Sequence, residues 1–552
     1  MRFFAQKAKK MPAGAGYLGV FLLVTAIYGW LQMRQSFMDP DSFYHVKMAV
    51  LMLQRGIIRD FPWLPYTTLA HAYTDHHFIY HVLLIPFILA FGPLVGAKVA
   101  TAVFGGLTMV SFYAVLKAHG SRWPAAFTMV LATSSAFMFR MNLTKTSALS
   151  VAVLMLALLA IKKEKPLALF FLSWVYVLLY GGWPIMGVVV AVFLCTRAVI
   201  DHLLDKHPVH SWAGLWFWKR LLRGSKTAKA DFWRAIEVRH AAAAAAGLLA
   251  GLVINPYFPK NLAFYWEQIV QIAVVGYKDK IGVGVEWYPY QANQFFIENS
   301  AIFLGFAVCL TVLFCMVFWN DLVRRGPEQI PRQEITSQLA SFFLAAFFTL
   351  MTMRSRRHVE YFAPFSVMSL ALFFTMLTSR LDFNAFVGRI RWLFPRPKVI
   401  PLAIMTYVSF LFVFLGVRDV MANKQLYSGG IPWTKYAKAA DWLTRNTPEG
   451  AIVLHSDWDD FPVLFFQDDR NRYIIGLDPT FLYRQDPDRY WEWVNITTGK
   501  TASGIAEAAL NRFDSRYILV ENDHTEMRKQ VDLDPRIERV YQDEDARIYK
   551  VR

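Results

Sequence analysis

Residues 17–45 read YLGVFLLVTAIYGWLQMRQSFMDPDSFYH, an apolar stretch that gives way to two carboxylates flanking a proline. The apolar part, Tyr17–Met33, is nearly long enough to cross a hydrocarbon core of ~30 Å. Ahead of it stands the basic segment MRFFAQKAKK, and no small-residue cleavage site follows. A retained signal-anchor helix is therefore expected, rather than a removed leader.

The same pattern recurs outward from this stretch. Val99–Leu116, Ala301–Phe318 and Val399–Val417 are comparable apolar blocks. Only 18% of the 552 residues are charged, against about a quarter in soluble domains. The net charge of +17 is unevenly spread: residues 420–552 hold 18 Lys+Arg against 22 Asp+Glu, leaving 40 against 19 for the rest. The excess base sits in short loops between hydrophobic runs, which is the positive-inside pattern of a membrane protein and argues against a nucleic-acid partner. Cys195, Cys309 and Cys315 all fall in apolar runs, so no disulfide framework is expected.

These blocks predict a polytopic α-helical membrane protein of about 11–13 transmembrane helices. Residues 1–420 form the membrane part, and residues 421–552 a small extracytoplasmic α/β domain. With the N-terminus cytoplasmic, the basic loops 201–240, 320–337 and 379–398 (with Arg389, Arg391, Arg396 and Lys398) face the cytoplasm. Lys117–Arg122 and Lys162–Lys165 lie on the same side. Alternation then places the large loops 34–98 and 257–298 outside, together with Arg140–Lys145, Gly181–Pro184 and Arg354–His358. Counting His81–Gly92 as a span would reverse every basic loop, so this segment, with Pro86 inside it, is expected to be interfacial or re-entrant. Beyond residue 430, helices at Tyr436–Arg445 and Ser503–Phe513 alternate with strands at Ala451–His455, Arg472–Ile475, Tyr517–Val520, Ile537–Tyr541 and Arg547–Val551.

Charged groups at a membrane face are costly to keep, so the outer clusters are informative. Asp39 and Asp41 could hold a divalent cation or act as a general base; they could also simply cap the following helix. His77 and His81 are four residues apart, so a helix presents both on one face, where Asp75 can join them as metal ligands or as interfacial caps. Glu286, followed by Trp287 and Tyr288, is a lone acid among aromatics: a site residue or a solvated loop acid flanked by interfacial anchors. Arg354, Arg356 and Arg357 run against the positive-inside bias and suit a phosphate or pyrophosphate, with pairing to Glu360 or lipid headgroups as the alternative. Trp458, Asp459 and Asp460 follow a strand end, where α/β domains place ligands, and could equally form a capped turn.

In this order the clusters resemble the C-type (GT-C) membrane glycosyltransferase superfamily, and within it the single-chain bacterial and archaeal oligosaccharyltransferase catalytic subunits. Asp39-Pro40 and Tyr44 are similar to the family's first-loop motif, with His45 where that motif has arginine. Val285-Glu286 and Pro289 are similar to its fifth-loop motif. One of Arg354, Arg356 and Arg357 stands for a family arginine near the pyrophosphate. Trp442-Leu443 and Asn446-Thr447-Pro448 precede a strand and then Ser456-Asp457-Trp458-Asp459-Asp460-Phe461, as in the family. Two departures stand out. The family's second pair of acids is absent, because Arg140 is followed by Met141-Asn142-Leu143-Thr144-Lys145. The family's Trp-Trp-Asp block, which reads an acceptor sequon, is altered at Asp457, Asp460 and Phe461.

The resemblance implies an inverting glycosyltransferase that takes a sugar or oligosaccharide from a polyprenyl-phosphate or -diphosphate donor at the outer membrane face. It implies Asp39, Asp41 and Glu286 as catalytic acids, and Arg140, Lys145, Arg354, Arg356 and Arg357 around the donor phosphate. Trp287, Tyr288, Trp458, Asp459 and Asp460 would meet a protein, glycan or lipid acceptor. A divalent metal (Mg or Mn) would be held by ligands drawn from Asp39, Asp41, Asp75, His77 and His81. Two alternatives stay open: a single-sugar transferase of the O-mannosyltransferase or aminoarabinose-transferase type using a monophosphate donor, and a transporter or non-catalytic membrane scaffold. Against the latter, the polar residues gather in outer loops and no internal repeat is visible.

Overall fold

A computed structural model describes residues 14–206, 230–319, 322, 332–382, 385–386, 399–501 and 503–552. The basic N-terminus, and with it much of the loops 201–240, 320–337 and 379–398, including Arg389, Arg391, Arg396 and Lys398, lies outside the described residues.

The membrane part comprises α1 (Ala15–Leu31), α2 (Asp41–Arg55), α3 (Phe78–Phe91), α4 (Pro93–Ala118), α5 (Pro124–Ala132), α6 (Ser135–Met141), α7 (Ser147–Lys162), α8 (Pro166–Leu179), α9 (Pro184–Lys206), α10 (Ala230–Val253), α11 (Ser300–Phe318), α12 (Arg332–Arg354), α13 (Val359–Arg380) and α14 (Val399–Leu426). Six stretches, Pro93–Ala118, Pro184–Asp201, Ser300–Phe318, Arg332–Arg354, Arg356–Arg380 and Ala403–Gly429, are long and apolar enough to cross a membrane. α1, α3, α7 and α8 are shorter apolar helices. The protein is thus a multi-pass membrane protein. Proline opens α4, α5, α8 and α9, where its missing N–H costs no hydrogen bond. The segment expected to cross between Arg122 and Arg140 is broken at Thr133 and Ser134 into α5 and α6.

Small residues let these helices approach closely. α1 and α4 run antiparallel: the Tyr28 ring lies over Gly105, Thr25 over Gly106, and Tyr113 beside Gly16, each in space that a methyl group would need. α10 presents Gly247 and Gly251 to Phe170 and Val177 of α8 in the same way. The antiparallel pairing sets one end of α4, with Lys98 donating to the Ser36 carbonyl at 2.8 Å, beside the end of α1 that leads into Asp39. The opposite end of the bundle carries Lys117, His119 and Ser337.

The sequence expectation for His81–Gly92 meets a definite geometry. α3 is 14 residues long, or about 21 Å at the helical rise, too short for a full hydrocarbon core. It turns back on α4 at Gly92, whose φ of 76° favours glycine. The Phe104 ring then lies 5.6 Å from Phe87 and 6.0 Å from Tyr80.

The C-terminal part contains α15 (Ala437–Asn446), β1 (Ile452–His455), α16 (Asp460–Gln467), β2 (Arg472–Tyr473), α17 (Pro487–Thr497), α18 (Ile505–Phe513), β3 (Ser515–Glu521), α19 (Thr525–Leu533), β4 (Ile537–Gln542) and β5 (Ala546–Val551). Its sheet runs β2-β1-β3-β5-β4, with β2, β1 and β3 mutually parallel and β5 antiparallel to both β3 and β4. The elements expected from sequence are all present, within a few residues of their expected limits. This domain packs on the first loop. α2 meets α16 through Lys47, whose Nζ donates to the Phe466 carbonyl at 3.1 Å, and Trp433 stacks on Phe43 at 5.8 Å. Ser36–Phe37 also pairs antiparallel with Ile431–Pro432.

Candidate active site

Five chain segments converge at the site end of the bundle. The α1 end is tied to the loop after α6 by Gln32, which donates to the Asn142 carbonyl at 2.5 Å. That contact brings Lys145 over the start of α2, where its Nζ lies 2.6 Å from Asp39 Oδ2 and 2.8 Å from Asp41 Oδ2. Asp39 also serves the bland role considered for it: Oδ1 accepts from Ser42 N at 3.0 Å and from Ser42 Oγ at 2.5 Å.

Loops 284–290 and 354–358 clamp each other. Arg356 N donates to the Tyr288 carbonyl at 3.1 Å, and Ser355 Oγ to the Glu286 carbonyl at 2.8 Å. Glu286 is thereby aimed inward, with Oε2 at 2.5 Å from Arg140 Nη1 and Oε1 at 3.2 Å from Arg357 Nη1. Arg140 also bridges to the fully buried Glu360 at 3.0 Å, and Tyr180 donates to the other oxygen of Glu360 at 3.0 Å. The Arg357 guanidinium lies over the Trp287 ring at 5.2 Å.

Burial alone would raise Glu286, but Arg140, Arg357 and Lys145 outweigh it and hold the carboxyl well below its usual range. Burial would likewise lower Lys145; Asp39 and Asp41 outweigh it and keep the ammonium charged. The result is a cluster of alternating fixed charges. Lys145 has three N–H donors and two carboxylate neighbours. Arg357 makes one hydrogen bond among the described residues, through Nη1. Both therefore keep donor capacity.

Those donors face a cavity of about 120 Å³ lined by Asp41, His45, Arg140, Lys145, Glu286 and Arg357, among others. Arg357, His76, Gln268 and Trp287 also line a second cavity, of about 160 Å³, whose far wall includes Ile185, Ile269 and Ala273. A larger hollow of about 740 Å³, between α1, α5, α11, α13 and α14, has no charged residue in its wall and lies away from this chemistry.

Of the residues expected from sequence, Asp41, His77, Arg140, Lys145, Glu286, Trp287 and Arg357 line one cavity, and Asp39 joins them through Lys145. Others are elsewhere. Arg354 is exposed and donates to the Val274 carbonyl, and Arg356 donates to the Pro289 carbonyl and lies over Tyr290. The reason is local: the turn at Arg356–His358 points successive side chains in different directions, and only Arg357 turns inward. Tyr288 contributes its carbonyl to the clamp, and its hydroxyl turns to the Lys278 carbonyl. Asp460 is buried and committed to the Tyr436 hydroxyl at 2.6 Å and to Ser456 at 3.2 Å, so it holds its turn together. Trp458 reaches the loop carrying Glu286, with its ring 3.9 Å from the Cβ position of Gly284. Asp459 is exposed beside it.

The expected metal ligands do not fit a divalent ion. The space between Asp39 and Asp41 is held by the Lys145 ammonium, and both Glu286 oxygens are taken by guanidinium groups. Asp75, His77 and His81 do not converge either. His81 is hydrogen-bonded through both nitrogens, to Asp75 and to His45, while His77 Nδ1 meets the Leu179 carbonyl at 3.3 Å. Among the described residues, one group has metal-ligand spacing, Glu521, Asp523 and His524 of the C-terminal domain, away from this cavity.

Sequence reasoning missed Asp478, Phe481 and His76, which complete the cavity wall, and Tyr180, which fixes Glu360. It treated Glu360 as a partner for the arginine cluster; its direct partner is Arg140. The signals for the histidines were the four-residue spacing of His77 and His81 and the position of His45, where the resembled motif has arginine.

No family model matches the sequence, and no curated protein does. Among solved structures, the chain is similar to the oligosaccharyltransferase of Archaeoglobus fulgidus tethered with an acceptor peptide containing the NVT sequon. The TM-score is 0.56 at 15% identity, over 92% of this chain and 69% of that one. It is also similar to the arabinofuranosyltransferase AftD from Mycobacteria, with a TM-score of 0.53 at 14% identity, over 98% of this chain and 40% of the larger enzyme. ArnT from Cupriavidus metallidurans bound to undecaprenyl phosphate gives 0.49 at 14% identity, over 98% of both chains. At such identities the likeness is one of fold: the chain has the GT-C membrane glycosyltransferase fold and resembles the oligosaccharyltransferase catalytic subunit.

Proposed function

We propose that the chain is an inverting membrane glycosyltransferase that transfers a sugar or oligosaccharide from a polyprenyl-phosphate or -diphosphate donor to an acceptor at the extracytoplasmic face. The observation that carries this reading is the cavity in which Lys145 and Arg357 keep donor capacity beside the Asp41 and Glu286 carboxylates. A lipid-linked donor has a charged head and an apolar tail, and the two adjoining cavities, one charged and one with an apolar far wall, offer surfaces for each.

In this reading the leaving phosphate meets Arg357 and Lys145, which stabilise charge as it develops. Trp287 keeps the Arg357 plane in place. Asp41 orients the acceptor hydroxyl or amide. The acceptor attacks the anomeric carbon opposite the phosphate, so the configuration inverts. Trp458 and Asp459 stand where an acceptor carried by the C-terminal domain would reach the Glu286 loop. No step passes through a metal, because the acids that would hold one are paired with cations.

The single-sugar alternative keeps the same cavity, and the commitment of Asp460 to its own turn favours an acceptor other than a peptide sequon. The test is direct. Purified protein in lipid vesicles is given a panel of synthetic undecaprenyl-phosphate and undecaprenyl-diphosphate sugars together with peptide, glycan and lipid acceptors, and the released lipid is weighed by mass spectrometry. Release of a monophosphate or of a diphosphate chooses between the readings, whereas no turnover of any donor removes both.

A further inference from the structure

The glycosyl-transfer reading leaves one question open: where the acceptor's proton goes. The acids at the cavity are already paired with cations. Asp39 is held by Ser42 and Lys145, Asp41 by Lys145, and Glu286 by two guanidinium groups. One helical turn beyond Asp41, His45 lines the same cavity and begins a row of buried groups joined by short hydrogen bonds that leads away from it. Asp75 Oδ2 lies 2.7 Å from His81 Nδ1, and His81 Nε2 lies 2.8 Å from His45 Nδ1. Asp75 is 2% exposed, His81 0% and His45 3%. His45 lines the cavity, and its Nε2 makes no hydrogen bond among the described residues.

The protons in this row follow from donor and acceptor counting. With Asp75 as the acceptor and a single N–H on His81, that hydrogen sits on Nδ1 and His81 Nε2 accepts; His45 Nδ1 is then the donor, which leaves His45 Nε2 with a bare lone pair. The buried carboxylate thus sets both tautomers across two rings, an arrangement of the kind by which a buried acid orients a catalytic imidazole.

We infer that His45 is the general base of the reaction, with His81 and Asp75 as the positioning residues that set its tautomer and share the charge it acquires. As the acceptor's oxygen or nitrogen bonds to the anomeric carbon, the bond from that carbon to the phosphate oxygen breaks and its electron pair leaves with the phosphate. The acceptor's proton moves to His45 Nε2. The resulting imidazolium is steadied through His45 Nδ1–H and His81 Nδ1–H by Asp75. After product release the proton returns to water. His71, exposed on the same loop and outside the cavity wall, serves as the control.

This inference rests on the glycosyl-transfer reading, but half of its test does not need a substrate. Full-length protein labelled with ¹⁵N-histidine in lipid nanodiscs reports which ring nitrogen carries hydrogen, and the His45 signals are assigned by their loss in His45→Gln. At neutral pH the expected result is a protonated Nδ1 and a bare Nε2, with the balance shifted in Asp75→Asn. A protonated Nε2 in the wild-type protein, as a doubly protonated His81 would produce, overturns the inference. In the vesicle assay described above, His45→Ala should slow transfer by about 10²- to 10⁴-fold, with added imidazole restoring part of the rate and His71→Ala remaining active. Wild-type rates in His45→Ala, or an equal loss in His71→Ala, would also overturn it. If no donor is turned over by the wild-type protein, the functional reading fails while the nitrogen signals still decide the row of bonds.

Discussion

The Lys145 ammonium stands 2.6 Å from Asp39 Oδ2 and reaches Asp41 Oδ2 at 2.8 Å, filling the position between two carboxylates that a divalent ion would otherwise occupy. A fixed ammonium brings its charge without any affinity for a chelator. Transfer by the wild-type protein should therefore be unchanged, within about twofold, by an excess of EDTA. Abolition by EDTA, with recovery on adding Mg²⁺ or Mn²⁺, would show that the ammonium is displaced in the working enzyme.

Removing that ammonium leaves two partly buried carboxylates facing each other. Lys145→Ala should lower stability by about 3 kcal/mol, toward the smaller end of what breaking a buried pair costs, because Asp41 keeps some solvent contact. Thermal unfolding in detergent measures it. Lys145→Ala combined with Asp41→Asn should recover part of the loss, and a double variant no better than the single one would contradict the pairing.

Arg357 and Arg356 are neighbours in sequence with different surroundings. Arg357→Lys keeps the charge but loses the planar stack on Trp287 and the forked donors. It should reduce the transfer rate by about 10²-fold. Arg356→Ala and Arg354→Ala, which lose contacts to backbone carbonyls outside the cavity, should stay within about threefold of wild type. Equal losses in all three variants would contradict the distinct role of Arg357 at this loop.

These contrasts also show what could be read from the chain. The apolar blocks, the first helix and the alternation after residue 430 follow from local pattern, because a helix or strand declares its buried face through its own spacing. The pairing of Asp39 with Lys145 could not be read in the same way. It depends on a loop more than a hundred residues away, brought in by the Gln32 contact to Asn142. Likewise, which of three close arginines turns inward depends on the register of a single turn. Asp75, His77 and His81 have the spacing of metal ligands on a helix face. Their actual partner, His45, comes from a different helix, and no periodicity announces it.

The C-terminal domain should respond to pH through His524. Its Nδ1 lies 3.3 Å from Glu521 Oε2, and this contact raises the imidazole to about 9, while burial, which would raise Glu521, is outweighed by His524 and Lys435, leaving that carboxyl at about 2. Because the folded value exceeds the ordinary 6.5, the stabilisation is complete below pH 6.5 and is lost as pH rises through about 9. The Ser456–Asp460 turn shares in this, since Ser456 Oγ accepts from Glu521 N at 2.9 Å. The melting temperature of the domain should fall between these values, and His524→Gln should flatten the decline. An equal slope in the variant would assign the decline to other groups.

The most direct test of the account is a structure of the full-length protein with an undecaprenyl-phosphate sugar bound. The account predicts the phosphate within hydrogen-bonding distance of Arg357 and Lys145, and the anomeric carbon facing Asp41 and His45. A phosphate seated instead at the apolar hollow beside α14, or at the exposed Arg354, would contradict it.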